Sequence, residues 1–185
     1  MMIKKCIVVL ITVLSPSPGL AQNSGKTFPA QNPAPSKPAQ ETNQEQNYLK
    51  LDYFRQVAGV ALEYSPMSLK LFDFISDWIG KPYRWGGESK RGIDCSAFVR
   101  ELYGKVMDQY LPRNSRQQYG YVNPIKKEDL RVGDLVFFKI KTRDISHVGV
   151  YLGDGKFVQS SGQGVNVASL EHPYWKKYYY KAGRL

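Results

Sequence analysis

The chain has 185 residues, 42% of them hydrophobic and 23% charged, which reads as one domain with its own core plus extra segments. Its net charge of +10 suits an anionic polymer, nucleic acid or cell wall, or simply a solubilising surface. Two cysteines and two histidines, without the close spacing of zinc motifs, give no reason to expect a metal. No phosphate-cradling glycine loop or nucleic-acid signature is present, so neither a cofactor nor a nucleic-acid partner is expected.

Residues 1–21 carry Lys4 and Lys5, an apolar run over 6–14, and a small-residue site at Gly19-Leu20-Ala21, the layout of a secretory signal peptide. The run is far shorter than the ~20 residues a spanning helix needs. No second long apolar stretch follows, so no integral membrane segment is expected once the signal is removed. Cys6 lies at the front of the run, the wrong place for a lipid-modified cysteine. Without Lys4 and Lys5 the charge is +8, and export to the periplasm, cell exterior or cell wall favours the wall as anionic partner. Residues 22–47 are rich in Pro, Gln, Asn, Ser and Ala and cannot bury enough apolar surface to order themselves, so they are read as a flexible tether. The folded domain is expected over 48–185, as a monomer.

Apolar spacings of three and four predict a helix over 48–64, built on Leu51, Phe54, Val57, Ala58, Ala61 and Leu62, with Pro66 ending or redirecting it. Ser68 is expected to cap a second helix over 69–79, stopped by Gly80-Lys81-Pro82. Asp94 is a candidate N-cap for a third, along which Phe98, Leu102 and Val106 recur every fourth residue. Residues 112–119 read as a loop with room for a short helix. The pattern then changes to strands: Leu135-Val136-Phe137-Phe138, then 147–152 and 156–160 around Gly153-Asp154-Gly155, and a last strand over 178–185. Helices first and antiparallel strands second is the α+β pattern.

Once Cys6 leaves with the signal, Cys95 is the sole cysteine. In an exported chain an unpaired cysteine is either a buried bystander or a reactive thiol. As first residue of the third helix it would face unpaired N–H groups and the positive dipole end, worth ~1 kcal/mol, so a base is also needed. His147 is the candidate base, and an imidazole needs a third group to fix its tautomer. A three-residue loop over 153–155 would pair Leu152 with Lys156. It would set Gly149 opposite Gln159, with His147 one diagonal step away on the same face. A two-residue Asp154-Gly155 loop would send Gln159 to the opposite face. Gly149 is expected to leave room for the imidazole.

Five stretches carry a resemblance: Gly80-Lys81-Pro82-Tyr83-Arg84-Trp85-Gly86-Gly87; Gly92-Ile93-Asp94-Cys95-Ser96-Ala97-Phe98-Val99; Leu111-Pro112-Arg113-Asn114-Ser115-Arg116-Gln117-Gln118; Gly133-Asp134-Leu135-Val136-Phe137-Phe138; and Ser146-His147-Val148-Gly149-Val150-Tyr151-Leu152-Gly153. In this order they resemble the NlpC/P60 family of cell-wall cysteine peptidases over 69–185. The resemblance implies a papain-like α+β fold with N-terminal helices packed on a small antiparallel sheet. It implies that Cys95 attacks a peptide carbonyl, that His147 acts as base and then acid, and that Gln159 stands where the family often has a second histidine. Tyr83 matches a family tyrosine near the nucleophile that orients substrate or binds the oxyanion, beside the plain reading of a packing residue.

Asp94 and Ser96 flank the nucleophile and are read as substrate contacts, with helix capping the simpler account of Asp94. Arg113, Ser115 and Gln118 lie in a loop that would rim the cleft. The substrate implied is the peptide stem of peptidoglycan, at a D-Glu–diaminopimelate or D-Glu–Lys type bond. Lys90 and Arg91 are read either as partners for its carboxylates or as a solvated loop. The alternatives are a non-catalytic wall-binding module on the same fold, and an amidase or acyl transferase of a related scaffold.

Overall fold

The computed structural model describes residues 43–185. The expected signal peptide, and the expected tether up to residue 42, lie outside the described residues. Residues 43–47 are helical: α1 runs Asn43–Ala58, starting and stopping earlier than the apolar spacing predicts. It stops because Gly59, at φ 65°, takes the left-handed conformation that closes a helix, its N–H returning to the Arg55 carbonyl at 2.9 Å. Ala61 and Leu62 therefore follow the helix instead of extending it, and Val57 is 66% exposed.

Helix α2, Pro66–Trp78, also begins earlier than expected. Pro66 opens it: proline suits the first helical position, where no N–H is required. The cap is Ser65, whose Oγ accepts the Ser68 N–H at 3.0 Å. Two short strands follow, β1 Glu88–Ser89 and β2 Gly92–Ile93. Then comes α3, Cys95–Val106, capped by Asp94 as the sequence predicts. Part of the 112–119 loop is α4, Ser115–Tyr121, capped by Asn114.

The main sheet contains β3 Asn123–Ile125, β4 Leu135–Phe138, β5 His147–Gly153, β6 Lys156–Ser161, β7 Gly164–Ser169 and β8 Tyr179–Arg184. Their order is β3-β8-β4-β5-β6-β7, and every neighbouring pair is antiparallel. A short helix, α5 Pro173–Tyr178, precedes β8. Strand alternation divides the apolar residues between two faces. Leu135, Phe137, Val148, Val150 and Val158 pack with Phe98 and Leu102 of α3. Val136, Phe138 and Phe157 join Leu170, Ala182 and Trp175 on the other side. Phe98, Leu102, Val148 and Val158 are fully buried; side chains of this size contribute ~1.5–3 kcal/mol each, so α3 is held firmly against the sheet.

The β5–β6 hairpin reaches the expected pairing by a different route. Gly153 pairs with Lys156, leaving a two-residue Asp154-Gly155 turn with φ 50° and 68°, the left-handed pair of a type I′ turn. Such a turn alone would send Gln159 to the wrong face. A bulge between Tyr151 and Gly153 takes up one residue, and the register recovers as Tyr151↔Phe157 and Val150↔Val158. Gly149 thus stands opposite Gln159 after all. Its missing side chain serves another purpose than expected: a Cβ there would lie 2.6 Å from the Phe157 ring and 2.8 Å from the Val158 carbonyl oxygen. The space belongs to the neighbouring strand, not to the imidazole.

Candidate active site

The N-terminus of α3 is fixed by one carboxylate. Asp94 Oδ1 accepts the Ala97 N–H at 2.8 Å and the Ser96 hydroxyl at 3.0 Å. Its Oδ2 accepts the Gly86 N–H at 3.1 Å. Arg113 grips both oxygens, at 3.1 and 2.7 Å, and also reaches Ser96 Oγ at 3.2 Å and Glu88 Oε1 at 2.6 Å. Burial alone would raise the Asp94 carboxyl, but these donors, Arg113 foremost, hold it below its usual range. Asp94, Ser96 and Arg113, expected at the substrate, thus spend their polar atoms on one another, on the first turn of α3, and on Gly86 and Glu88. Gln118 is fully buried and donates to the Ser96 and Pro112 carbonyls at 2.9 Å each. Of the three residues expected to rim the cleft, Ser115 lines it, together with its neighbours Asn114 and Arg116.

Replacing Arg113 with methionine should cost about 1–3 kcal/mol, as expected when one partner of a buried hydrogen-bonded pair is removed. Lysine should not restore it, because it lacks the planar fork. Urea denaturation measures both, and unchanged midpoints would contradict the bracing role.

Cys95 opens α3 and is 7% exposed. Burial pushes its thiol up to about 11; the Val148 N–H beside it pulls the other way, the Asp94 charge adds to the rise, and the N–H groups of Ser96 and Cys95 itself oppose it. The helix N-terminus is therefore outweighed by desolvation. The Val148 contact puts the sulfur against the start of β5, whose first residue is His147.

His147 is 5% exposed, and its ring stacks on Trp175 at 5.3 Å and 23°. Its Nε2 is hydrogen-bonded to Gln159 Oε1 at 2.5 Å. Gln159 Nε2 donates to Asn166 Oδ1 at 3.4 Å, and Asn166 Nδ2 donates to the Gly164 carbonyl at 2.9 Å. A backbone carbonyl can only accept, so it fixes the polarity of the whole chain. Asn166 must present its oxygen to Gln159, Gln159 its oxygen to the ring, and the ring its Nε2–H to Gln159. The lone pair is left on Nδ1, so the ring's free nitrogen is a base. Burial lowers the imidazole from an ordinary 6.5 to about 4, against a smaller opposing effect of Gln159. The thiol and the imidazole are thus both neutral at rest.

If His147 must be neutral to act, the acid limb of kcat/KM should fall near pH 4, with full activity at pH 6. A pH–rate profile checks this, and an acid limb at the ordinary histidine value would contradict it.

A cleft of about 750 Å³ opens beside His147, lined by Tyr83, Trp85, Ser146, His147 and Trp175 among others, while the buried Cys95 is not part of its lining. Tyr83 is bridged to Ile93. Burial, then the charges of Cys95 and Asp94, raise its phenol, which keeps the hydroxyl protonated as a donor. Lys90 is paired with Asp77 at 2.5 Å and does not line the cleft. Sequence reasoning missed Trp175 and Asn166. Pro173 at a helix start was the available signal for Trp175; Asn166 stands opposite Gln159 through the pairing of β6 with β7, and β7 has no strong apolar run to reveal it.

A helix opening on cysteine, packed on an antiparallel sheet whose strand opens on histidine, defines the papain-like α+β class. The chain belongs to the NlpC/P60 family, whose model matches residues 80–184. It is 43% identical over 111 residues to the probable endopeptidase NlpC homolog of Haemophilus influenzae, covering 60% of this chain and 58% of the relative. It is 34% identical over 164 residues to the probable endopeptidase YafL of Escherichia coli, covering 85% and 62%. To murein DD-endopeptidase MepS/murein LD-carboxypeptidase of E. coli it is 39% identical over 117 residues, covering 63% and 62%. The matches thus span less than two thirds of each of these relatives. A solved NlpC/P60 family protein from Bacillus cereus is similar at TM-score 0.57 and 32% identity, covering 62% of this chain and 39% of that one. A Staphylococcus aureus NLP/P60 family protein is similar at TM-score 0.60 and 26% identity, covering 68% and 43%.

Proposed function

We propose that this protein is an exported cysteine endopeptidase that hydrolyses peptide stems of peptidoglycan, with Cys95 as nucleophile, His147 as base and acid, and Gln159 as the group that orients the imidazole. The observation that carries this reading is the one-way hydrogen-bond chain from Gly164 to His147, which leaves Nδ1 basic on the strand that abuts the thiol. Residues 1–21 would direct export to the periplasm or cell wall and residues up to 42 would tether a monomeric domain.

In the proposed reaction the thiol proton passes to His147 Nδ1 as the sulfur bonds to the scissile carbonyl carbon. The Cys95 N–H and the Tyr83 hydroxyl donate to the developing oxyanion. The C–N bond breaks as His147 returns the proton to the leaving amine, giving a thioester. Water, deprotonated by His147, then attacks the thioester carbonyl, releasing a carboxylate and regenerating the thiol. Asp94, Ser96 and Arg113 act by holding the nucleophile's helix.

The murein DD-endopeptidase names of relatives at 39% and 44% identity favour a bond between D-configured residues over the D-Glu–diaminopimelate type. A fold of this kind also occurs in a Mycobacterium tuberculosis protein described as a non-catalytic NlpC/p60 domain protein, at 21% identity and TM-score 0.54, so the fold alone decides nothing about turnover. Digestion of purified peptidoglycan, with product masses, tests the reading. New stem fragments differing by one water support it and identify the bond, whereas binding without fragments would replace it with the wall-binding alternative.

A further inference from the structure

We infer that Arg116 is the specificity residue of the cleft, taking a free carboxylate of the substrate peptide and so selecting acidic stems over amidated ones. This rests on the endopeptidase reading above. Among the described residues that line the cleft, Arg116 is the one carrying a permanent charge. It follows Ser115 in the first turn of α4, and its Nε donates to the Ile145 carbonyl at 3.3 Å, two residues before His147. That contact anchors the side chain to the wall leading to the base.

The far end of the side chain is loosely held. Arg116 Nη2 lies 3.6 Å from Asp144 Oδ2, with both side chains two-thirds exposed, at 67% and 68%. This distance is beyond hydrogen-bond length, and an exposed pair of this kind contributes little to stability. A substrate carboxylate can therefore replace Asp144 at small cost, and would gain the bidentate geometry a planar guanidinium offers. Two other cations are committed elsewhere, Arg113 to Asp94 and Glu88 and Lys90 to Asp77, while Arg84, Lys141 and Arg143, next in sequence to lining residues, do not themselves line the cleft. The remaining lining is aromatic, aliphatic or neutral polar, which accepts a peptide but does not distinguish its charge.

The test uses two stem peptides of one sequence that contain the bond identified by the digest, with the other carboxylates free or converted to amides, and reads the ratio of kcat/KM between them. Wild type should favour the free form about tenfold, the order expected of a charge-assisted hydrogen bond. Arg116→Gln should bring the ratio close to unity with an unchanged melting temperature. Asp144→Asn, which removes the competing anion, should lower KM for the free form and leave that for the amide alone. An unaltered ratio in Arg116→Gln, or no preference in wild type, overturns the inference while the endopeptidase reading stands. A wild type that cleaves neither peptide overturns that reading, and this inference with it.

Discussion

Replacing His147 with glutamine is expected to lower kcat/KM by about 10⁴, the upper end for loss of a positioned general base. The large effect follows from the resting state. Burial holds the thiol at about 11, so almost no thiolate exists at neutral pH, and in the proposed reaction every turnover needs a base within reach as sulfur attacks. Were the helix N-terminus alone able to ionise Cys95, the loss would be small, because thiolate would already be present. Glutamine is close in size and neutral, so the aromatic pocket of Trp175 and Phe138 should remain filled. Steady-state assay of the purified variant on a stem peptide decides the matter. A loss of under tenfold would contradict general-base catalysis by His147.

The second large effect is expected at Gln159. Gln159→Leu should lower kcat/KM by about 10²–10³, because the imidazole loses the acceptor that fixes its tautomer and a buried N–H is left unpaired. Gln159→His should stay within about tenfold of wild type, since an imidazole can also accept the Nε2–H. Asn166, whose oxygen faces position 159, can then receive the new ring's other N–H. Melting temperatures separate loss of orientation from loss of fold. Wild-type activity in Gln159→Leu would show that the ring needs no third partner.

Much of this site is legible in the sequence because its signals are local. Asp94 sits one residue before Cys95, and a carboxylate there caps whatever helix follows. The Gly153-Asp154-Gly155 punctuation marks the hairpin, and the facing of His147 and Gln159 is recovered from it. The means are not recovered: the bulge at Leu152 depends on how β5 meets β6, and nothing in the local string announces it. Helix ends fail for a related reason. Apolar spacing carries α1 through Gly59, whose left-handed backbone stops it. Pro66, read as ending or redirecting the first helix, starts the second. Contacts between distant segments are the least legible. Arg113 reaches Asp94 across 19 positions, and Trp175 of α5 stacks on His147 of β5. Composition flags such residues as arginine and tryptophan but not as partners. The polarity of the Gly164–Asn166–Gln159 chain appears only once β7 is seen beside β6.

The central claim is that the Cys95 sulfur attacks a peptide bond of the cell wall. Its most direct measurement is a paired digest of purified peptidoglycan by wild type and Cys95→Ala, both shown to be folded, with mass spectrometry of what is released. The account predicts stem fragments from wild type and none above background from the alanine form. Matching fragments from both proteins would contradict it.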